Sequence, residues 1–329
     1  MKKITLATIL ITINYFLCFG QIENCLDFNG VNSYVSIGNA IDLDTSNFTI
    51  EAWIYVESIS TSNKIVNKGG TMSGTPSNSG YFLRTNAPWV GENSVEFTIG
   101  GISNGASVVS DSLKLNEWMH IAGVRKEKKM YLYINGEMTD STVTNTILNV
   151  NTNIPLAIGA LQKPNGVQEF MDGKIDEVRI WNIARTQEDI FIDKDCAIKE
   201  PIEGLLAVYN FDSENGDVAI DGSGNGLNGT LVDSSSWVAS EVAKSCMTSN
   251  NNFNLDKLSL YPNPFNNTLN VQGLSGNIKI AVFDSNGTLM VNDKLSNNRI
   301  NLQGLNSGIY TILVKKENES YLKKIIKYK

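Results

Sequence analysis

Apolar and polar residues alternate along most of this chain. In the segment 48–56, FTIEAWIYV, every second residue from Ile50 to Val56 is aliphatic, and the residues between them are charged or aromatic. A period of two is typical of a β-strand whose two faces meet different surroundings. Further runs of this kind follow along the chain: EFTIGG, WMHIAGV, MYLYING, PLAIGAL, IDEVRIW and LLAVYNF. The pattern predicts a body built mainly of strands.

Turn and helix signals support this interpretation. The dipeptide Asn135-Gly136 lies between two strand-like runs and supplies the positive φ angles of a tight hairpin. Thr186 precedes Asp189 by three residues and could cap one short helix in TQEDIF. Many strands, few helices and turns rich in Gly, Asn and Ser predict a two-sheet antiparallel sandwich over residues 21–246.

The pattern changes near residue 247. The stretch 247–255 begins with MTSNNNFN, has no apolar rhythm and indicates a linker. Residues 256–329 then offer five short strand candidates, LSLYP, TLNVQG, IKIAVFD, GIYTILVKK and YLKKIIKY. We therefore expect a small, separate all-β domain at the C-terminal end, referred to below as the C-terminal domain.

The first twenty residues have a different composition. Lys2 and Lys3 precede an apolar run that ends at Phe19, and Gly20 supplies a small residue for cleavage. This order predicts a secretory signal peptide over 1–20. A membrane anchor would need about 18 or more strongly apolar residues, and threonines dilute this run. No later segment is long and apolar enough to cross a bilayer, so we expect no membrane span in the mature protein.

Charge is unevenly distributed over the 329 residues, whose net charge is −7. Residues 256–329 carry ten Lys or Arg and five Asp or Glu, whereas residues 21–255 carry 15 basic and 29 acidic residues. An acidic body repels nucleic acid and anionic membranes but tolerates cations such as calcium. We therefore expect no nucleic-acid partner.

Three cysteines, Cys25, Cys196 and Cys246, lie beyond the predicted signal peptide. One disulfide bond and one spare thiol is the simplest count, and three pairings are possible. We favour Cys196 with Cys246, since both lie near the edges of the same late segment. A metal site is the weaker alternative, because the sequence has no CxxC or Cys-His spacing.

Several segments of the body together resemble a known family. The segments are LDFNGVNSYVSIG (26–38), FTIEAWIYV, EWMHIAGVRKEKKMYLYINGE and GKIDEVRIWNIARTQEDI, in this order. They are similar to the bacterial laminin G-like domains of the concanavalin A-like lectin/glucanase superfamily, over about two thirds of the chain. For the body, the resemblance implies an antiparallel two-sheet jelly-roll sandwich. Together with the strand pattern of residues 256–329, the expected fold is all-β, with a small C-terminal β-sandwich domain after the jelly roll.

The C-terminal domain resembles the type A sorting domain of type IX secretion. The motif residues are Pro262, Asn263 and Pro264 at its start, and Gly308 and Tyr310 near its end. The resemblance implies a partner in the type IX secretion machinery and a product that is secreted or held on the outer surface of a Gram-negative bacterium. We expect the two prolines to fix φ and remove donors where the first strand of the domain begins. An ordinary appended β domain is the alternative.

Catalytic residues are hard to find in the body. Sugar hydrolases of this superfamily share a strand of the form Glu-x-Asp-x-x-Glu, and no such strand is present. In IDEVRIW, Asp176 and Glu177 should point to opposite faces. The single histidine, His120, matches a strand signature of the family and is expected to be structural. We therefore predict a protein that is not an enzyme.

A structural calcium ion is the first site hypothesis. Members of the superfamily often hold an ion between the first strand and a late aspartate, and Asp176 matches that aspartate. Asp27 and Asp212 are the other candidate ligands. Calcium takes about six to eight oxygens, many of them backbone carbonyls, so these side chains alone would not complete a site. The alternative is that Asp176 hydrogen-bonds a turn and Glu177 pairs with Arg179 or Lys174.

Trp89, in the loop sequence TNAPWVGENS, is the candidate ligand-binding residue. An aromatic ring on a loop offers a flat apolar face to a sugar, although such a ring often folds back over the sandwich edge. We predict a secreted or surface-held, adhesin-like protein that binds glycans or extracellular proteins. A polysaccharide-acting enzyme and a structural surface scaffold are the alternatives.

Overall fold

The fold is described from a computed structural model. The described residues are 23–59, 62–69, 79–86, 93–100, 105–198, 201–213, 216–233, 235–242, 258–274, 276–295, 297–316 and 319–328. The predicted signal peptide, the predicted linker and Cys246 lie outside these ranges.

The described part of the body consists of strands and one short helix. Its elements are β1 (Asn24–Asn29), β2 (Tyr34–Gly38), β3 (Phe48–Val56), β4 (Asn63–Gly69), β5 (Gly80–Thr85), β6 (Val95–Ile99), β7 (Ala106–Ser110), β8 (Trp118–Lys126), β9 (Lys129–Ile134), β10 (Glu137–Val143), β11 (Leu156–Ile158), β12 (Leu161–Lys163), β13 (Gly166–Gln168), β14 (Asp172–Trp181), α1 (Gln187–Asp193), β15 (Leu205–Tyr209), β16 (Val218–Ala219), β17 (Gly229–Val232) and β18 (Ser236–Ala239).

The strands form two large antiparallel sheets. The first sheet has the order β10-β9-β8-β3-β14-β1-β18, and β15 also pairs with β14. The second sheet has the order β16-β17-β2-β11-β4-β5-β6-β7. Each sheet combines hairpins of consecutive strands, such as β8-β9-β10 and β4-β5-β6-β7, with pairs of strands that are distant in sequence, as in a jelly roll. The predicted two-sheet jelly-roll sandwich is confirmed.

The core lies between the two sheets, where the period of two predicts it. Ile50, Ile54 and Val56 of β3 are fully buried and belong to one apolar cluster with residues of the second sheet. The close approach of the sheets requires a glycine at position 123 of β8. A Cβ atom there would lie 2.4 Å from the ring of Phe97, on the opposite sheet. A larger residue would push the two layers apart.

Both local signals in the body are confirmed. Asn135 and Gly136 have φ angles of 53° and 82° in the turn between β9 and β10. Helix α1 begins after Thr186, whose Oγ1 accepts a hydrogen bond from the Asp189 N–H at 3.1 Å. The Asp189 carboxylate in turn accepts from the Thr186 N–H at 3.0 Å. This reciprocal capping satisfies two backbone donors at the start of the helix.

Helix α1 covers charged residues on the outer face of the first sheet. Glu51 of β3 is fully buried, and its Oε1 accepts hydrogen bonds from Trp181 Nε1 at 2.7 Å and from Arg185 Nη1 at 3.1 Å. Nε2 of His120 lies 3.3 Å from Oε2 of Glu51. Arg185 also pairs with Asp193 at the end of α1. We call Glu51, His120, Trp181 and Arg185 the buried ion network, and it accounts for the single histidine as a structural residue.

The C-terminal domain has its own core. Its strands are β19 (Ser259–Tyr261), β20 (Thr268–Gln272), β21 (Lys279–Phe283), β22 (Leu289–Lys294), β23 (Arg299–Asn301), β24 (Gly308–Lys316) and β25 (Glu319–Lys327). They form a three-stranded sheet, β19-β20-β23, and a four-stranded sheet, β22-β21-β24-β25. The core between them includes Phe265, Leu269 and Ile312, and it is separate from the core of the body.

The two prolines lie at a different place from the one predicted. Strand β19 ends at Tyr261, so Pro262 and Pro264 follow the first strand instead of beginning it. Asn263, between them, explains the position. Its Oδ1 accepts a hydrogen bond from the Ile326 N–H at 2.9 Å, and its Nδ2 donates to the Lys324 carbonyl at 3.1 Å. The side-chain amide of Asn263 thus pairs with the backbone of the last strand. The neighbouring prolines cannot donate to this strand, because they have no N–H group.

The late motif residues lie on β24. Gly308 is its first residue, and Tyr310 is buried in the core of the C-terminal domain. The Tyr310 hydroxyl donates a hydrogen bond to the Asn306 carbonyl at 2.9 Å, which ties the preceding turn to the strand.

Among the described residues, no helix has the length and apolar character needed to cross a membrane.

Cys25 is buried on β1, and Cys196 follows α1. Because Cys246 lies outside the described residues, the pairing of Cys196 with Cys246 stays a prediction.

Candidate functional site

The outer face of the second sheet carries a continuous row of mostly polar side chains. Cross-strand pairing places seven residues side by side, from β17 at one end to β7 at the other. We call them the polar row: Thr230, Ser36, Ala157, Asn67, Phe82, Thr98 and Ser107. Their neighbours in sequence, such as Val35, Leu83 and Phe97, belong to the core. Because side chains alternate along a strand, the row faces away from the core.

The polar row is buried in the middle and exposed at its ends. Asn67 and Phe82 are 0% and 1% exposed, whereas Ser107 and Thr230 are exposed. The hairpin formed by β12 and β13 lies against β4 and contributes Gln162, whose Nε2 donates to the Ser36 hydroxyl at 3.3 Å. The row therefore continues from an accessible edge into a covered centre.

Several hydrogen-bonding groups in this region have spare capacity. Thr98 Oγ1 lies 2.6 Å from Glu96 Oε1 and 2.7 Å from Ser107 Oγ. Asn67 Oδ1 and Gln162 Oε1 are buried, and neither has a hydrogen-bond partner among the described residues. A buried amide oxygen without a partner costs free energy, so these two atoms lower the stability of the covered centre of the row.

A second set of residues, here called the charged row, runs parallel to the polar row. Lys64, Arg84 and Glu96 are neighbours on β4, β5 and β6. Arg84 Nε donates to Glu96 Oε2 at 2.7 Å, and Lys64 Nζ lies 3.4 Å from Glu169 Oε2. The Lys64 ammonium also lies 3.7 Å from the centroid of the Phe82 ring. Two basic and two acidic side chains thus lie close together, so this region carries no large net charge.

Burial changes the acid–base behaviour of the charged row. Burial lowers the pKa of Lys64 to about 7, although Glu169 opposes this shift. Burial alone would raise the pKa of Glu169, but the Lys64 and Arg84 charges bring it below its ordinary value. Lys64 therefore titrates near neutral pH in the folded protein, while in the unfolded chain it keeps its ordinary pKa of 10.5.

The replacement Lys64→Met is expected to change how stability depends on pH. Between pH 7 and pH 10 the unfolded chain holds a proton on Lys64 that the folded protein does not, so raising the pH stabilises the wild type. The methionine variant lacks this gain. Urea unfolding at pH 7 and pH 9.5 measures it, with the exposed Lys114→Met as the control. An equal pH response in wild type and Lys64→Met would contradict the expectation.

The chemistry of the face suits a ligand with many hydroxyl groups. Hydroxyls, amides and carboxylates offer both donors and acceptors, and Phe82 supplies an apolar ring between them. Sugars present this mixture of hydroxyl groups and apolar C–H faces.

The predicted site residues are not brought together in this face. Trp89 lies outside the described residues, in the segment of chain that joins β5 to β6. These two strands carry Phe82 and Thr98. The polar and charged rows were missed in the sequence, although Asn67, Phe82 and Thr98 each alternate with core residues of their own strands.

The three aspartates predicted to bind calcium lie on β1 (Asp27), on β14 (Asp176) and shortly after β15 (Asp212). Among the described residues, no three His, Cys, Asp or Glu side chains are placed to hold a metal ion. Both oxygens of Asp176 accept hydrogen bonds, at 2.8 Å from the Glu177 N–H and at 2.6 Å from the Ser240 hydroxyl. Asp27 is half-buried on β1, and burial together with Glu57 raises its pKa. Calcium binding stays a prediction.

The alternative interpretation of the IDEVRIW strand holds for Glu177. Its carboxylate pairs with Arg179 at 2.9 Å, and both residues are buried. Asp176 and Glu177 are therefore engaged in structural contacts within the first sheet.

Family comparison identifies both parts of the chain. Residues 29–191 match the family model of the concanavalin A-like lectin/glucanases superfamily, Laminin_G_3. The body is a laminin G-like domain. Residues 259–328 match the model of the secretion system C-terminal sorting domain. The C-terminal domain is thus a sorting domain, which implies export to the cell surface or secretion.

Solved structures are similar to the laminin G-like domain in fold. A candidate carbohydrate-binding protein from Bacteroides ovatus is 24% identical, with a TM-score of 0.54. The match covers 68% of this chain and 62% of that protein, so the chain spans less than two thirds of its length. A heptameric SAP-like pentraxin from Limulus polyphemus is 12% identical, with coverage of 68% and 97% and a TM-score of 0.47. No curated protein matches the chain.

Proposed function

We propose that this protein is a non-enzymatic glycan-binding protein, exported by means of its sorting domain, and that the laminin G-like domain binds through the outer face of its second sheet. The observation that carries the proposal is the exposed end of the polar row, where the Ser107 hydroxyl lies beside Thr98 and the Glu96 carboxylate. These groups can exchange hydrogen bonds with the hydroxyl groups of a glycan. The similar fold of a candidate carbohydrate-binding protein supports the same ligand class.

The accessible edge of the face suggests how a glycan would enter. Ser107 is exposed and lies beside Thr98, which lies beside the Glu96 carboxylate. A sugar ring seated there can exchange hydrogen bonds with these groups. Trp89, which follows β5 in the sequence, is proposed as an additional contact to the ring.

Two conservative changes test the face. In the full chain without its signal peptide, Thr98→Val and Ser107→Ala remove the two hydroxyl groups at the accessible end with little change in side-chain volume. Screening the wild type on a glycan array selects the ligand, and calorimetry then compares affinities. A neutral hydrogen bond contributes about 0.5–1.5 kcal/mol, so the double variant is expected to bind about tenfold more weakly.

The matched control is Thr139→Val, which lies exposed on β10 of the first sheet. It should bind like the wild type. Equal affinity in the double variant would place the ligand on another surface. Absence of binding to any polysaccharide at high concentration would reject the glycan proposal.

The same preparation separates the other functions. Release of reducing sugar from a bound polysaccharide would support an enzyme of the superfamily. A stable protein partner in a pull-down, without sugar binding, would support a surface scaffold or an extracellular protein ligand.

A further inference from the structure

One face of the sorting domain is apolar where a two-layer domain would normally meet water. In β21, Ile280 and Val282 point into the domain's own core. Ala281 and Phe283 point the other way, yet they are 2% and 0% exposed. Leu313 of β24 lies on the same outer face and is also buried. Strands of a small sandwich alternate apolar and polar residues unless both faces are covered, so this outer face has a partner.

The partner is helix α1 of the laminin G-like domain. Phe191 packs against Phe283, with ring centroids 5.6 Å apart and planes at 68°. Ile192 packs against the same cluster. Ile190, on another side of the helix, packs against Ala122 of the first sheet. Helix α1 therefore presents apolar residues both to its own sheet and to the sorting domain.

Polar contacts surround this apolar centre. The Leu289 N–H donates to Gln187 Oε1 at 3.1 Å, and the Glu188 N–H donates to the Gly287 carbonyl at 2.9 Å. On the other side, Lys315 Nζ lies 3.1 Å from Asp195 Oδ2. An apolar centre with a hydrogen-bonded rim is the usual anatomy of a specific interface.

A further contact links the next strand of the sorting domain to the body. Asn292 Nδ2 of β22 donates to Glu137 Oε1 of β10 at 2.6 Å. The interface therefore reaches beyond the helix to the edge of the first sheet.

We infer that helix α1 and the adjoining edge of the first sheet form a docking surface whose occupant is the protein's own sorting domain. In the docked arrangement, the body covers one end of the outer face of the four-stranded sheet. The other end of the same face stays open, because Ile309 and Ile326, which pair across β24 and β25, are 58% and 42% exposed. The export module is thus held in one orientation with a defined part of its surface presented outward.

Carbodiimide cross-linking of the full chain without its signal peptide tests this inference. The reagent joins a carboxylate to a neighbouring amine, and Asp195 and Lys315 are in direct contact. We expect a cross-linked peptide pair containing these two residues in the monomer band. Hydrogen exchange of the Leu289 amide gives a second measurement. This N–H donates to Gln187 Oε1 across the interface, so it should exchange slowly while the domain is docked.

Phe191→Asp, on the body, should reduce the Asp195–Lys315 cross-link at least tenfold and speed exchange at Leu289. It leaves the core of the sorting domain untouched, so misfolding of that domain cannot explain the loss. The matched control is Ile309→Asp, at the open end of the same face, which should leave both signals unchanged.

Three results would overturn the inference. They are absence of the cross-link in the wild type, an unchanged cross-link in Phe191→Asp, and a cross-link found only in a dimer band. The last result would show that the occupant is the sorting domain of a second copy.

Discussion

Replacing Glu51 by alanine is expected to lower the unfolding free energy of the laminin G-like domain by about 3–5 kcal/mol. Glu51 is fully buried, and its carboxylate accepts hydrogen bonds from Trp181 and Arg185. Removing it leaves Asp193, at the end of α1, as the ion-pair partner of the Arg185 guanidinium among the described residues. A buried cation that has lost its main counter-charge costs far more than the loss of a surface ion pair.

Urea unfolding followed by tryptophan fluorescence measures this effect in one domain. All five tryptophans precede residue 256, so the signal reports the laminin G-like domain and not the sorting domain. The control is Glu117→Ala, whose exposed ion pair with Lys114 should contribute less than about 1 kcal/mol. A loss in Glu51→Ala as small as in this control would contradict the account of the buried ion network.

The difference in unfolding free energy between the wild type and Glu51→Ala should depend on pH. Burial by itself raises the pKa of Glu51, but Arg185, His120 and Arg179 together bring it well below its ordinary value of 4.5. A lowered pKa contributes stability that is present above pH 4.5 and is lost as the pH falls further. The wild type should therefore lose its advantage over Glu51→Ala at acidic pH.

The pattern of β3 shows what the sequence predicts about this network. Alternation places Glu51 on the face opposite Ile50, and the structure agrees. A polar residue on an outer face is normally expected to meet water. Burial of Glu51 instead depends on α1, which the Thr186 cap predicts but does not position. Local signals therefore define elements and faces, whereas the cover over a face depends on tertiary packing.

The candidate site illustrates the same limit at a larger scale. The polar row draws one residue from each of seven strands, and partners such as Ser36 and Ala157 are more than a hundred residues apart. Register between such distant strands is set by the whole core and not by local sequence. A sequence therefore draws attention to single conspicuous residues, such as Trp89, whereas the polar row consists of ordinary ones that only the fold brings together.

The motif of the sorting domain was predicted correctly, but its prolines were expected at the start of the first strand and lie directly after it. Two prolines indicate a rigid segment without donors, which fits the start of a strand as well as the turn after it. Asn263 distinguishes the two positions, because its amide pairs with β25. That partner lies about sixty residues away and has no signal near the motif.

Replacing Arg125 by methionine is expected to lower the unfolding free energy by about 3–5 kcal/mol, since buried carbonyls would lose their donors. Arg125 is 1% exposed. It donates to the carbonyls of Ser46 and Leu148, each at 2.7 Å, and to that of Asp44 at 3.1 Å. Burial lowers its pKa to about 10, so the guanidinium keeps its charge at neutral pH.

Arginine has a specific reason to occupy this position. Its planar fork reaches two loops at once, those that precede β3 and follow β10, while it lies 4.7 Å over the ring of Phe48. Lysine has one nitrogen and cannot span both loops, so Arg125→Lys should recover only part of the lost stability. Fluorescence-monitored urea unfolding compares both variants with Lys126→Met, an exposed basic residue of the same strand. If Arg125→Lys matched the wild type, charge alone would suffice. The loops would then be held by the field of a buried cation, and the geometry of five donors would be irrelevant.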